Sequence, residues 1–287
     1  MMRIVVIGLG LIGGSMALDL KKRVPSEIIG VDVSDAHAET ALDKGVIDRI
    51  GSIGDVKEAD TVIVAVPVNL TAKVVSEVLD LIGENTLVFD VGSVKESICK
   101  DLSTHLRRKN FVAAHPIAGT EFSGPDAAIH GLFDEKVNIL CETEKSDWKI
   151  LDKALSLFKL LNMRIKMMHP GEHDRHIAYV SHLSHVSSFM LGKTVLEIER
   201  SEEHIFDMAG SGFASTVRLA KSSPATWTPI FMGNKDNLLA SLDGFIKNLN
   251  EFRAIIEQED TVELSKIMED TNYIKKVLSG IQEDAEV

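Results

Sequence analysis

Apolar residues in the first half of the chain occur in short continuous runs, separated by amphipathic stretches of helical length. A continuous apolar run indicates a strand that is covered on both faces, which is typical of parallel sheets. Repeated alternation of such strands with helices predicts a doubly wound α/β domain. The predicted strands are residues 3–8, 27–32, 61–66, 86–91, 111–115 and 137–141.

The pattern changes near Met168. After a short loop at residues 169–171, apolar positions recur at helical spacing, and almost nothing is typical of a strand. The long helical patterns cover residues 172–200, 238–258 and 261–281. The sequence therefore predicts an α/β fold class, with a doubly wound, Rossmann-type N-terminal domain over residues 1–168 and an all-helical C-terminal domain over residues 169–287.

Charge and composition restrict the possible classes of function. The chain has 31 Lys and Arg residues against 43 Asp and Glu residues, and this net charge of −12 argues against binding to nucleic acid or to an anionic membrane surface. No apolar run approaches the roughly 20 residues that cross a bilayer, and the N-terminus lacks a signal-peptide layout, so a cytoplasmic location is expected. The two cysteines, Cys99 and Cys141, have neither metal-binding nor redox spacing.

The first predicted strand leads directly into a glycine-rich loop, residues 8–13, with the sequence GLGLIG. Its glycines suit a tight turn, a close approach to a pyrophosphate and tight helix packing, with the phosphates at the helix N-terminus. Asp32 ends the second strand, where a carboxylate can bind both ribose hydroxyls and repels a 2′-phosphate. The pattern therefore predicts NAD rather than NADP, against the alternative of a plain glycine turn with a solvated Asp.

Two more loops follow predicted strands at the sheet edge where ligands bind in open α/β folds. Val66 and Pro67 end one apolar run, and Ser93 follows another. For Ser93, the local sequence alone favours a helix N-cap over a role at the cofactor. The predicted cofactor contacts are Gly8, Gly10, Leu11, Ile12, Gly13, Asp32, Val66 and Pro67.

His115 lies at the end of the fifth predicted strand and precedes Pro116, which favours an extended backbone at the histidine. An imidazole at this edge could take a proton from a hydroxyl group while hydride leaves the same carbon. Its ordinary pKa of about 6.5 suits a general base near neutral pH. A buried structural histidine is the alternative that composition alone leaves open.

Three motifs together resemble the prephenate dehydrogenase family: GLGLIGGS at residues 8–15, DVGSVK at 90–95 and HPIAGTE at 115–121, all ahead of an all-helical half. The resemblance covers most of the chain, and HPIAGTE is its most specific motif. It implies an NAD-dependent enzyme of tyrosine biosynthesis that oxidatively decarboxylates prephenate to 4-hydroxyphenylpyruvate. It also implies that His115 accepts the proton of the ring hydroxyl and that Ser93 hydrogen-bonds near that hydroxyl and the nicotinamide, which replaces the N-cap interpretation.

The same resemblance implies substrate-binding residues in and before the helical half. His185 and Arg218 match substrate-binding positions, and a guanidinium can grip a carboxylate through two hydrogen bonds. Glu121 and Trp227 are expected beside the substrate as well, although a buried structural role suits Trp227 equally. Some relatives have an acidic residue where this chain has Ser215, so an ion pair built on that acid is not expected here.

Two histidine pairs on the first long helical pattern are spaced as metal ligands could be. His173 and His176 are three residues apart, as are His182 and His185. Because neither an HExxH pattern nor a cysteine cluster accompanies them, no metal site is expected. His182 is interpreted as a core residue or as one that supports the site.

Several alternatives stay open at this point. An arogenate dehydrogenase of the same family would differ in the side chain of its substrate. Another NAD-linked hydroxyacid dehydrogenase with a helical C-terminal domain would more typically use a helix-borne lysine as its acid–base group. A non-catalytic NAD(H) sensor would need a DNA- or partner-binding module that the sequence does not suggest.

The sequence is interpreted as a short form of the family. We expect neither a mutase segment before the glycine loop nor a regulatory domain after Ile281, and the resemblance implies a homodimer through the helical domains.

Overall fold

A computed structural model describes residues 1–200 and 204–283 of the protein. The chain divides into two compact units, Met1–Lys235 and Asp236–Val287. The first unit contains an eight-stranded sheet. Its strands are β1 Met2–Ile7, β2 Ser26–Val31, β3 Arg49–Ile50, β4 Thr61–Val64, β5 Leu87–Asp90, β6 Phe111–Pro116, β7 Val137–Cys141 and β8 Arg164–Met168.

The order of the strands is that of a doubly wound fold. It runs β3-β2-β1-β4-β5-β6-β7-β8, and every neighbouring pair is parallel except β6 with β7. The winding reverses between β1 and β4, so the loops after these two strands diverge and leave a crevice at the carboxyl edge of the sheet. The predicted Rossmann-type α/β fold is confirmed. The connecting helices are α1 Leu11–Arg23, α2 Asp35–Asp43, α3 Val68–Leu81, α4 Glu96–Leu102 and α5 Trp148–Leu160.

Two strands and one pairing direction differ from the sequence-based expectation. The edge strands β3 and β8 were not predicted, because β3 has only two residues and β8 has no continuous apolar run. β7 runs antiparallel to β6, although the apolar pattern predicted a parallel sheet throughout. The connection over residues 117–136 contains a 3₁₀ turn at Pro125–Ala127 instead of a crossover helix, so the chain reverses direction between neighbouring strands.

Both faces of the sheet are covered, which explains the continuous apolar runs. On one face, Phe89 of β5 packs edge-to-face on Phe158 of α5, with ring centroids 5.1 Å apart. On the opposite face, Phe111 of β6 is fully buried in a cluster to which α3 and α4 contribute. Burial of a side chain of this size contributes about 1.5–3 kcal/mol, so each layer holds its helices firmly against the strands.

The second half of the chain is helical, as expected, and no strand follows β8 among the described residues. The domain boundary expected near residue 168 stays a prediction. No described helix is long and apolar enough to cross a membrane. The remaining helices are α6 Pro170–Ile177, α7 Leu183–Glu199, α8 Ser211–Thr216, α9 Pro224–Gly233, α10 Lys235–Glu257, α11 Thr261–Thr271 and α12 Ile274–Glu283.

The helical pattern predicted over residues 172–200 is interrupted by a π-helical turn at Ala178–His182, between α6 and α7. A π turn changes the angular offset between the residues before and after it, and such turns occur frequently at functional sites. The pattern predicted over residues 261–281 is likewise divided, into α11 and α12. The first of these interruptions lies among the histidines of the candidate site.

Candidate active site

The glycine loop leaves an open space at the N-terminus of α1. Gly8 has a φ of +94°, and a Cβ atom there would lie 2.4 Å from the carbonyl oxygen of Ala65. A Cβ at Gly13 would lie 2.0 Å from the carbonyl oxygen of Gly8, so neither position accepts a side chain. A Cβ at Gly10, by contrast, would meet no atom within 4 Å. This space lies beside unpaired helix amides, which is what a pyrophosphate requires.

Asp32 is fixed beside the same loop. Its Oδ2 accepts a hydrogen bond from the backbone N–H of Leu9 at 2.8 Å, and its Oδ1 accepts one from the N–H of Ser34 at 2.9 Å. The ring of His37, a residue that the sequence analysis missed, places Nδ1 3.6 Å from Oδ1. A rigid carboxylate next to the open end of α1 suits a ribose, so the residues present fit a dinucleotide.

Leu11 and Ile12 form the first turn of α1, and Pro67 occupies the N-cap position of α3. Val66 is partly buried against the core cluster below it. Ser93 is half-buried in the loop between β5 and α4. The N-cap position of α4 is Lys95, two residues further on, so the N-cap interpretation of Ser93 is wrong.

A buried ion pair lies beside the Ser93 loop. The ammonium group of Lys95 contacts the carboxylate of Asp90 and donates a hydrogen bond of 2.8 Å to the carbonyl oxygen of Ala114. Both charged side chains are fully buried. Because Asp90 ends β5 and Ala114 lies in β6, this pair ties the strand that leads into the Ser93 loop to the strand that carries His115.

His115 is buried near the end of β6 and takes part in a chain of buried polar groups. Its Nδ1 lies 2.7 Å from Nε2 of His173 on α6, and Nδ1 of His173 lies 2.7 Å from Oδ1 of Asp174. The Nε2 atom of His115 has no hydrogen-bond partner among the described residues. Burial lowers the pKa of His115 well below its ordinary value, and His173, Lys95 and His182 lower it further. The imidazole is therefore neutral at neutral pH, with one nitrogen available.

Asp174 also receives hydrogen bonds from the chain next to Ser93. Its Oδ1 accepts the N–H of Lys95 at 2.7 Å, and its Oδ2 accepts the N–H of Glu96 at 2.9 Å. His176, the expected partner of His173 in a histidine pair, is exposed. No group of three or more potential metal ligands occurs in the part of the chain that the structure describes.

His182 and His185 lie on either side of the junction between the π turn and α7. The ring of His185 stacks on Trp227 with centroids 3.3 Å apart, and its Nδ1 donates to the carbonyl oxygen of Ser181 at 3.0 Å. His182 is fully buried, and its Nδ1 lies 3.2 Å from the amide nitrogen of Asn234. Burial lowers the pKa of His182 to about 4 and also lowers that of His185.

Arg218 lies close to the HPIAGTE segment. Its Nη1 donates to Oε2 of Glu121 at 3.1 Å, and about half of the Arg218 side chain is exposed. The pKa of Glu121 is lowered first by its own backbone N–H and then by the charge of Arg218. Ser215 instead donates to the carbonyl oxygen of Gly212, so no acid from that turn competes with Glu121.

Comparison with known proteins identifies the family of the chain. Residues 16–167 match the nucleotide-binding domain of prephenate dehydrogenase, and residues 169–270 match its dimerization domain. The prephenate dehydrogenase of Bacillus subtilis is 39% identical over 266 residues, which is 91% of this chain and 72% of that protein. The chain belongs to the prephenate dehydrogenase family.

Other members of the prephenate dehydrogenase family are similar along most of their length. The cyclohexadienyl dehydrogenase of Zymomonas mobilis is 33% identical and covers 90% of this chain and 89% of that protein. The crystal structure of the Aquifex aeolicus prephenate dehydrogenase, in complex with hydroxyphenyl propionate and NAD+, is 32% identical with a TM-score of 0.88, covering 97% of this chain and 98% of that one. The protein is accordingly an oxidoreductase, an NAD-dependent dehydrogenase of this family.

Sequence reasoning missed the residues that hold this prephenate dehydrogenase site together. His173 was considered only as half of a metal-binding pair, and Asp174 and Asn234 were not considered. The carbonyl oxygen of Asp174 accepts the side-chain N–H of Asn234 at 2.7 Å, so all three belong to one network that reaches His182. The buried pair of Lys95 and Asp90 was missed as well, although the sequence contained a signal for it: the two are opposite charges within the otherwise apolar and small residues of the DVGSVK motif.

The position of Asp32 predicts cofactor preference. We expect kcat/KM to be much higher with NAD+ than with NADP+, and Asp32→Ala to reduce that ratio by about tenfold or more, because it removes both a ribose acceptor and a charge that repels a 2′-phosphate. Asp35→Ala, on the exposed first turn of α2, is the matched control and should leave the ratio unchanged. Equal kcat/KM values for the two cofactors in the unmodified enzyme would contradict the prediction.

Proposed function

We propose that the enzyme converts prephenate and NAD+ to 4-hydroxyphenylpyruvate, CO2 and NADH, the dehydrogenase step of tyrosine biosynthesis. The observation that carries this proposal is His115, a buried, neutral histidine at the carboxyl edge of the sheet with a free Nε2. Its position suits a base that acts on a hydroxyl group next to the cofactor, whereas a hydroxyacid dehydrogenase of the alternative type would use a helix-borne lysine. The only lysine in the described part of this network, Lys95, is paired with Asp90.

In the proposed reaction, His115 removes the proton of the ring hydroxyl through Nε2. Bound NAD+ supplies the acceptor for the hydride that leaves the same ring carbon. The bond between the ring and its carboxylate then breaks to release CO2, and its electron pair makes the ring aromatic. His115 returns its proton to the phenolic oxygen, so the base is regenerated and no net proton is released. The free hydroxyl of Ser93 is proposed to hydrogen-bond to the reacting oxygen and hold it in line with the base.

Substrate binding is assigned to Arg218, His185, Glu121 and Trp227. His185 is neutral at neutral pH because burial lowers its pKa, so Arg218 is the only member of this group with a positive charge. The stacked Trp227 holds the His185 ring with Nδ1 on a carbonyl oxygen and leaves Nε2 available for the substrate. A prephenate carboxylate is proposed to bind the exposed guanidinium of Arg218 in place of Glu121.

The choice of prephenate over arogenate is supported by the relatives. The Bacillus subtilis prephenate dehydrogenase is 39% identical, whereas the structure of the Synechocystis arogenate dehydrogenase is 28% identical with a TM-score of 0.77. The two substrates share the ring that reacts and differ in a keto or an ammonium group on the side chain. Initial rates of NADH formation with each substrate test this choice, and a higher kcat/KM with arogenate would overturn it.

We also propose that the enzyme is a homodimer. Residues 169–270 match the dimerization domain of the family. In addition, one face of α10 in the second compact unit carries exposed apolar side chains, among them Ile246, Leu249 and Ile256. Such a stripe on a long helix is typical of a face that packs against another helix.

The proposed dimer predicts a particle of twice the mass of the chain. Light scattering at micromolar concentration should give about twice 31.5 kDa, and Leu249→Asp, which places a charge in the apolar stripe, should shift the mass towards that of the monomer. Lys247→Asp, two residues earlier on an exposed position, is the matched control and should leave the mass unchanged. A monomer in the unmodified protein would refute the assembly.

The proposed base predicts a large effect of His115→Asn. We expect kcat to fall by about 10²–10⁴-fold with the Kd for NAD+ unchanged, because the variant removes the proton acceptor and not the dinucleotide site. His176→Asn, on the exposed side of α6, is the control and should retain full kcat. Burial and nearby positive charge lower the pKa of His115 well below 6.5, the value of a free histidine. The base therefore stays unprotonated at pH 6.5, so kcat should be constant down to that pH and decline only in more acidic solution. A His115→Asn variant that keeps most of its kcat would remove His115 from the mechanism.

Arg218 is the only positively charged residue among the described residues of the proposed substrate site. Its removal should therefore weaken substrate binding without changing the affinity for NAD+. Arg218→Ala should raise KM for prephenate by about tenfold or more, because a two-point contact with a carboxylate is lost, while the Kd for NAD+ stays the same. Lys221→Ala removes an exposed positive charge from the same 3₁₀ turn and serves as the control. If both variants raise KM equally, general charge rather than a specific Arg218 contact explains the binding.

A further inference from the structure

The chemistry of the chain His115, His173 and Asp174 determines where its protons lie. Both oxygens of Asp174 accept backbone N–H groups, so Oδ1 also acts as an acceptor towards Nδ1 of His173, 2.7 Å away, and this Nδ1 carries a proton. With the ring proton of His173 on Nδ1, its Nε2 is bare and can only accept. His115 must therefore donate from Nδ1 across the 2.7 Å contact between the two rings. This leaves the lone pair of His115 on Nε2, the atom without a partner in the described structure.

We propose that His173 and Asp174 form a positioning relay that holds His115 in the tautomer a base requires. This rests on the proposed role of His115 as the base. The relay touches no substrate atom and acts only through the His115 ring. Without it, the Nδ1–H tautomer loses its acceptor, and the other tautomer, which blocks Nε2 with a proton, becomes available.

Burial makes the relay a strong constraint. His173 and Asp174 are 1% and 2% exposed, so water cannot replace either hydrogen bond. The rings of His115 and His173 meet edge to face, with centroids 5.0 Å apart, which fixes the direction of the hydrogen bond as well as its length. The other charged and titratable groups that face His115 are Lys95, from the loop before α4, and His182, from the π turn. Neither is within hydrogen-bond distance of the His115 ring.

Asp174 connects this relay to the second proposed catalytic residue. The same carboxylate that orients His173 accepts the backbone N–H groups of Lys95 and Glu96, immediately after the Ser93 loop. The backbone of Asp174 is itself held by the side chain of Asn234. The relay therefore sets the tautomer of His115 and the position of the Ser93 loop from one point on α6.

The test compares two substitutions of His173 in the full-length enzyme. His173→Leu removes the acceptor, and we expect kcat to fall by about 10²-fold with KM for prephenate and Kd for NAD+ within about twofold of the unmodified values. His173→Gln provides a carbonyl oxygen that can accept from Nδ1 of His115, and it should restore kcat to within about tenfold of the unmodified enzyme. His176→Leu, on the exposed side of the same helix, is the matched control and should keep full kcat.

A double variant separates this role from simple support of the fold. If His173 acts only through His115, then His115→Asn combined with His173→Leu should have the same kcat as His115→Asn alone, within about threefold. A further large loss in the double variant would mean that His173 supports the fold and would overturn the relay.

The tautomer can also be read directly from the unmodified enzyme, so the inference does not depend on whether a variant folds. Nitrogen NMR of protein labelled at its histidine rings, with the His115 signals assigned by their loss in His115→Asn, should show a proton on Nδ1 and none on Nε2. A proton on Nε2 of His115, or full kcat in His173→Leu, would refute the relay. Full activity of His115→Asn would instead refute the proposed function itself.

Discussion

The Asp174 carboxylate accepts hydrogen bonds from three groups at once: the His173 ring, the N–H of Lys95 and the N–H of Glu96. Hydrogen bonds to a charged group contribute about 1.5–3 kcal/mol each. Without these partners, burial of the carboxylate would destabilise the fold, because its hydration is lost and not replaced. The first turns of α6 and the entry to α4 are therefore fixed to each other. Ser93 precedes the entry to α4 and His115 contacts His173 on α6, so the Asp174 carboxylate connects the two proposed catalytic residues.

A second buried charge supports the same region from the other side. The ammonium group of Lys95 is held by Asp90 and by the carbonyl oxygen of Ala114, and neither charged side chain reaches solvent. Moving such a pair out of water costs several kcal/mol for each ion. If stability of the fold were the only requirement, two apolar side chains would therefore suit these positions better. The pair does something an apolar pair could not do, because its positive charge lowers the pKa of His115 and helps to keep that ring neutral.

The sequence predicted the parts of the molecule that local physics determines. The glycine loop, Asp32 and the predicted strands rely on neighbouring residues, and the structure has strands at each of the six predicted positions. The antiparallel direction of β7 was missed because it depends on a connecting loop without a helix, and the edge strand β8 was missed because it lies at a half-exposed edge. The apolar pattern of the sequence also did not reveal the π turn. Such a turn rotates the following residues about the helix axis, whereas apolar residues on either side of it still recur at helical spacing.

The relay could not be predicted for a different reason. His115 and His173 are 58 residues apart, and nothing in either local pattern indicates that β6 and α6 meet. The spacing of His173 and His176 suggested a shared ligand, but helical neighbours at that spacing can face different surroundings, and here one is buried while the other is exposed. Adjacent residues were the better indicator: an acid next to a histidine at the start of a helix can bind that ring and the amides of a facing helix.

The Arg218–Glu121 ion pair affects how tightly the proposed site can bind an anionic substrate. Arg218 lies in a chain of net charge −12 and already has a carboxylate partner 3.1 Å away, at the end of the HPIAGTE motif that carries His115. In the proposed binding mode a substrate carboxylate replaces Glu121, so the free energy gained is reduced by whatever the existing contact contributes. Because about half of the Arg218 side chain is exposed, solvent screens this pair and little is lost when it breaks.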